Sequence, residues 1–276
     1  MSHCVASAPP SFPSGAPACD CLAPGYSVKM RSMEPFRDEA LRLGIPQDEV
    51  ERWLGTIVRP CASLVPGKPT DGPVAGRLGG LPPMPEDEPV PNLPFLASVD
   101  LAAIPPGATD LPLPKEGTLL FFAETSENAP YGDDRDWSRL VYVPAGRPVA
   151  ERGPGGERPP KVYPGGDLRV VIDPSLPNRG DHIEGFPHSD ELGEVWWDTY
   201  YEMQTGGLVQ IGGYPWVENN DPVLDIGHGP GDWVLLAEIG SAVVEGDMGR
   251  VYWVIRRDDL AAGRFTQARA EYDMTG

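Results

Sequence analysis

Gln210-Ile211-Gly212-Gly213-Tyr214-Pro215-Trp216 is a short apolar run that stops on two glycines and a proline, and the same punctuation occurs upstream as Arg77-Leu78-Gly79-Gly80-Leu81-Pro82. After each copy come a loop and a second apolar segment, Phe95-Leu96-Ala97-Ser98-Val99 in one case and Leu235-Leu236-Ala237-Glu238-Ile239 in the other. Gly117 or Gly249 then opens an aromatic run. A strand ending on Gly-Gly-x-Pro can take positive φ at glycine, after which proline fixes its own φ and withholds a ladder donor. The residue before each proline is pushed to extended geometry. The pattern predicts an α+β, mainly β chain: an internally duplicated antiparallel or mixed sheet with Gly79, Gly80, Pro82, Gly212, Gly213 and Pro215 as structural turns. Asp247, set between glycines in Gly246-Asp247-Met248-Gly249, reads as a further turn, because Asp tolerates positive φ and bonds its own backbone.

Composition agrees with many short strands. The 276 residues include 34 Pro and 33 Gly, roughly twice ordinary usage, and a chain of this length can bury about three quarters of its unfolded surface. Residues 1–32 form a Pro/Ser/Ala-rich leader without periodicity, expected to be disordered, and Met30 or Met33 could serve as the start instead of Met1. The remainder, 33–276, reads as one domain of two related halves, about 59–145 and 161–276, joined by a Gly/Pro-rich connection.

A formal charge of −19 repels phosphate backbones and anionic lipid, which argues against nucleic-acid and membrane partners and leaves a basic protein open. No apolar stretch approaches the ~20 residues of a membrane helix and no signal peptide is evident, so a cytoplasmic location is expected. Cys4, Cys19 and Cys21 lie in the leader beside His3 without the paired spacing of a zinc site, and Cys61 reads as a small core residue.

Along the chain, Phe36, Ala40 and Leu41 form one apolar helix face closed by Gly44, and Val50, Trp53, Leu54 and Ile57 form a second at helical spacing. This N-terminal helical pair is expected to dock on the sheet. Pro82-Pro83-Met84-Pro85 with the acidic tip Glu86-Asp87-Glu88 reads as an exposed polyproline-like segment, and Gly146 to Pro160 as a mobile connection. The second half holds one long helix, capped by Ser189 or Asp190, whose buried stripe is Leu192, Val195, Trp196, Tyr200 and Met203. Trp233 to Ile239, Gly249 to Ile255 and Phe265 to Tyr272 read as closing strands.

Five blocks in register carry a resemblance: Arg77-Leu78-Gly79-Gly80-Leu81-Pro82, Pro94-Phe95-Leu96-Ala97, Leu113-Pro114-Lys115-Glu116-Gly117-Thr118-Leu119-Leu120-Phe121-Phe122, Gly212-Gly213-Tyr214-Pro215 and Gly246-Asp247-Met248-Gly249. Together they resemble the YwqG-like family of bacterial proteins of unknown function, from about Met33 to the C-terminus. The resemblance implies a mostly β, duplicated α+β fold with no accepted enzymatic activity. The chain departs from the family pattern at Ser98, Glu238 and Glu218, where glutamine is expected, and at Glu245, where tryptophan is expected. A ligand held by those glutamines would be changed or lost here.

Catalytic chemistry finds little support. There is no Gly-x-Ser-x-Gly elbow and only four histidines, so no triad can be named. His182 and His188, with Asp181, Glu184, Asp190 and Glu191, are weak metal candidates against the simpler reading of a solvated acidic loop. Gly227-His228-Gly229-Pro230-Gly231 lacks the Lys-Ser/Thr of a phosphate loop and reads as a turn. No cofactor is implied. Trp197 and Tyr201, four residues apart beside Glu194 and Asp198, form a candidate partner-binding face opposite the buried stripe. The preferred expectation is a non-enzymatic interaction domain for another protein, with an immunity-like role against a basic toxin as its specific form. The alternative is a small-ligand module with a cleft between the repeats, lined by Arg77, Tyr214, Trp216, Glu218, Trp233 and Glu238. A carboxylate- or metal-dependent hydrolase ranks third.

Overall fold

Both Gly-Gly-x-Pro segments turn as their sequence requires: φ is +43° and +72° at Gly79 and Gly80, and +72° and +74° at Gly212 and Gly213. The computed structural model describes residues 32–67, 73–125, 137–155, 158–178, 182–203, 207–217, 219–226, 232–240, 243 and 249–273. The elements in chain order are α1 (Glu34–Arg42), α2 (Gln47–Ile57), β1 (Arg59–Pro66), β2 (Gly76–Leu78), β3 (Pro83–Pro85), β4 (Phe95–Asp100), β5 (Thr118–Ala123), β6 (Ser138–Val143), β7 (Val149–Glu151), β8 (Gly166–Ser175), α3 (Ser189–Met203), β9 (Val209–Ile211), α4 (Pro222–Ile226), β10 (Trp233–Ile239), β11 (Arg250–Arg256), α5 (Arg257–Ala261) and β12 (Arg269–Asp273).

Ten of the strands form one antiparallel sheet in the order β12-β11-β10-β9-β1-β8-β2-β4-β5-β6. The order reads the same from either end once β1 is matched with β8, β2 with β9, β4 with β10, β5 with β11 and β6 with β12. The duplication reaches single residues. A bulge interrupts β4 at Leu96 and β10 at Leu236, and the carbonyls of those two residues accept the N–H groups of Gly79 and Gly212. A Cβ at Gly117 would strike the Tyr142 ring, and one at Gly249 would strike Tyr272, so each tyrosine fills the space its glycine leaves open. The opening strands are exchanged: β1 pairs with β9, and β8 pairs with β2.

The sheet curls into a near-barrel that brings its edge strands β6 and β12 together. Trp137 packs edge-on to Tyr272 with ring centroids 6.5 Å apart, and Tyr142 stacks on Phe265 at 4.7 Å. The interior is an apolar core that includes Leu64, Leu119, Phe121, Ile211, Leu236 and Trp253.

Several expectations are corrected. The helical pair does not dock on the sheet but packs on α3, where Phe36, Trp53 and Trp196 form a triangle of rings with centroids 5.1–5.5 Å apart. An amphipathic stripe specifies that a face is buried and leaves its partner open. Leu41, one residue round the helix from buried Ala40, is exposed. Ser189 and Asp190 lie inside the first turn of α3, and the Ser189 hydroxyl instead accepts the Ile183 N–H at 2.7 Å. Phe265–Gln267 is a 3-10 turn and the last strand starts at Arg269.

The Pro82–Pro85 segment is not an exposed polyproline stretch. It contains β3, which pairs with β7 of the supposed mobile connection, and Met84 is buried against Phe95, Leu120, Phe122 and Val143. Two arginines clamp the acidic tip. Arg147 reaches Asp87 and Glu88 at 3.0 and 2.6 Å, and Arg152 donates to the carbonyls of Pro85 and Glu88.

Candidate functional site

The second Gly-Gly-x-Pro turn is held by polar side chains that the sheet supplies from beneath. Gln210, buried in β9, donates from Nε2 to the carbonyls of Gly212 at 3.0 Å and Tyr214 at 2.8 Å. Ser175 Oγ accepts the Tyr214 N–H at 2.7 Å. Glu238, next to Gln210 across the ladder, accepts the Trp216 N–H at 2.8 Å through one carboxylate oxygen and binds Arg250 Nη1 at 2.6 Å through the other. The guanidinium of Arg250 lies over the Trp216 ring, 4.6 Å from its centroid, and the Tyr252 hydroxyl donates to the Trp216 carbonyl. The carboxylate and guanidinium are only 6% and 12% exposed, so this is a desolvated ion pair, with the Arg250 Nε buried and without a hydrogen-bond partner among the described residues.

Of the six residues expected to line one cleft, the structure joins Trp216 and Glu238 directly and Tyr214 through the same turn. The Tyr214 ring lies under the Arg59 guanidinium at 4.6 Å. Arg77 is elsewhere, on β2, paired with Glu151 at 2.5 Å and Asp167 at 3.7 Å. Trp233 stands at the far end of β10, in the wall of a 290 Å³ cavity between β6 and β12. Glu218 and Asp247 lie outside the described residues, as do the leader cysteines and Gly227 to Gly231.

The α3 residues present a second surface. Leu192, Val195, Trp196, Tyr200 and Met203 are buried, whereas Trp197 and Tyr201 are 53% and 64% exposed on the outer face beside Glu194 and Asp198. A shallow groove runs from Asp198 and Glu202 to Glu34, Asp38 and Glu39 on α1. This face combines two open aromatic rings with carboxylates from two helices.

The two candidate metal-binding histidines go to different partners. His182 Nδ1 meets Asp190 at 2.6 Å on the surface. His188 binds Glu49 of α2 twice, through its backbone N–H and through Nδ1, both at 2.8 Å. The Glu49 hydrogen bond raises the His188 pKa against the opposing effect of burial. Burial pushes Glu49 up, but the His188 amide and imidazole together hold it below the usual carboxylate range. Among the described residues no three His, Cys, Asp or Glu side chains are grouped to hold a metal.

Sequence reasoning missed two features. The first is the seam cavity, whose walls come from segments more than a hundred residues apart. The second is the carboxylate cluster of Asp221, Asp225, Glu271 and Asp273, in which burial first and then the neighbouring charges of Asp225, Asp273 and Asp221 push Glu271 up to about 7. Asp221 is also raised by burial while its carboxylate accepts the Val223 and Leu224 amides that open α4. No helix among the described residues is long and apolar enough to cross a membrane.

Comparison with known proteins gives a family and no activity. The family model described as a domain of unknown function, DUF1963, matches residues 76–273, and the chain belongs to that family. No curated protein matches the sequence.

Proposed function

We propose that this member of the DUF1963 family, YwqG-like in its detailed motifs, is a non-enzymatic protein-binding module of the bacterial cytoplasm. Its working surface is the outer face of α3, and its partner is a basic protein. The observation that carries the reading is the exposure of Trp197 and Tyr201, one helical turn apart, on a face rimmed by Glu194, Asp198 and Glu202. Large rings left in water cost solvation free energy that a partner recovers, and flanking carboxylates select a cationic one and speed its encounter. The net charge of −19 extends the same field over the molecule. At the second Gly-Gly-x-Pro site, Glu238 is already engaged by Arg250 and by the Trp216 amide, which favours a structural role for that carboxylate.

The test compares the wild type with a Trp197→Ala, Tyr201→Ala double variant in affinity purification from the native cell. The wild type is expected to retain a stoichiometric basic protein that the variant loses, with melting temperatures within about 3 °C because the rings are exposed. A variant that keeps the partner, or a wild type that retains none, overturns the reading.

A further inference from the structure

Acidic side chains outnumber basic ones by 41 to 22 in this chain, so arginines without a carboxylate partner are unexpected. Arg37, Arg42, Arg147, Arg250, Arg257 and Arg264 are all ion-paired. Arg52 and Arg152 instead donate to backbone carbonyls, whereas Arg139 of β6, Arg256 at the end of β11 and Arg269 at the start of β12 line the seam cavity together with no carboxylate partner among the described residues. Asp259 borders the same cavity but is engaged by Arg264 at 2.8 Å.

The cavity walls are aromatic. Trp137, Trp233 and Trp253 line it, and the guanidiniums of Arg256 and Arg269 each lie 5.3 Å from the centroid of the Trp233 ring. The indole nitrogens of Trp233 and Trp253 are buried with no hydrogen-bond partner among the described residues. Buried donors are normally satisfied, and an orphan is a reason to look for a missing acceptor. Arg256 and Arg269 share the Trp233 ring, and an anion bound in the cavity would balance their charges. The volume of 290 Å³ suits one small molecule.

We propose that the seam between β6 and β12 is a binding site for a small organic anion carrying a flat ring. Its carboxylate or phosphate is met by Arg139, Arg256 and Arg269, and its ring lies against the tryptophan walls. Acceptor atoms on the ligand take the orphaned indole N–H groups. Guanidinium forks fit carboxylate and phosphate alike, so the chemistry is common to both sources. The site is independent of the α3 face, and either can fail without the other.

The experiment is titration of the full chain with benzoate, adenosine 5′-monophosphate and inorganic phosphate, read by tryptophan fluorescence and by calorimetry. The expected result is saturable binding of benzoate or the nucleotide in the millimolar range or tighter, at least about tenfold tighter than inorganic phosphate, and weakened by salt. Benzoate binding identifies a carboxylate source, and nucleotide binding a phosphate source. An Arg256→Gln, Arg269→Gln double variant should bind at least about tenfold more weakly with an unchanged unfolding transition. If that variant does not fold, the exposed Arg139→Gln variant carries the same comparison. Absence of saturation below about 10 mM for both ring-bearing anions overturns the proposal. So does equal binding of inorganic phosphate, or binding undiminished in the arginine variants.

Discussion

Around Gly212-Gly213 the sheet supplies Gln210, Glu238, Tyr252 and Arg250, whereas the matching positions around Gly79-Gly80 hold Arg77, Ser98, Leu120 and Thr118. The backbone device is common to both: a bulge carbonyl, from Leu96 or Leu236, receives the first glycine. The side-chain device is not. In the second turn a buried carboxylate and guanidinium fasten Trp216, and in the first Arg77 points its charge to Glu151 and Asp167 at the surface. The bulge and the positive φ therefore suffice to shape the turn, and the ion pair serves the residues that follow it.

The comparison breaks most visibly at Glu238. Glu238→Ala strands the Arg250 guanidinium and the Trp216 amide, so urea unfolding should show a loss of about 3–5 kcal/mol, against less than about 1 kcal/mol for the equivalent Ser98→Ala. Equal losses would mean that the ion pair is not what distinguishes the turns.

Gly213→Ala and Gly80→Ala sharpen it next. Both glycines have positive φ, but a Cβ at Gly213 meets Ser175 at 2.5 Å and Cys61 at 3.0 Å, while one at Gly80 has only the Gly165 Cα at 3.9 Å. Thermal melts should show about 2–4 kcal/mol lost at Gly213 and about 1 kcal/mol at Gly80. A reversed order would place the tighter packing in the wrong half.

The smallest effect lies on the outermost strands, where Glu271 of β12 answers Val141 of β6. Burial and three carboxylates raise Glu271 from 4.5 to about 7. The folded state therefore holds the proton more tightly than the unfolded one. The resulting stability is complete below about pH 4.5 and disappears as pH rises through 7. Because the group is about half exposed, solvent screening reduces this to roughly 1 kcal/mol. Glu271→Gln should flatten the stability profile between pH 4.5 and 7 and stabilise the chain above pH 7. An unchanged profile would remove Glu271 as its cause.

Much of the fold was legible because it depends on local rules. Gly-Gly-x-Pro takes positive φ in both copies, and the stretch 119–123, apolar throughout, is covered on both faces. Met84 was not legible, since the flanking prolines that suggested an exposed segment also suit an edge strand in a two-stranded ribbon. The partnership of α1 and α2 with α3 was hidden for a different reason: hydrophobic spacing names a face and not its neighbour. At the candidate sites, Trp197 and Tyr201 followed from helical spacing alone. The arginines of the seam did not, because Arg139 meets Arg256 and Arg269 only after the sheet has curled. The one signal in the sequence was the recurrence of Trp with Arg near Trp137, Trp253 and Arg256 in a chain poor in cations.

The exchange of β1 and β8 bears on how the chain is made. As the ribosome releases the first repeat, β1 and β2 cannot complete their pairing, because the strand that belongs between them, β8, has yet to be synthesised. A sheet running from β1 through to β2 can therefore close only once the second repeat has emerged.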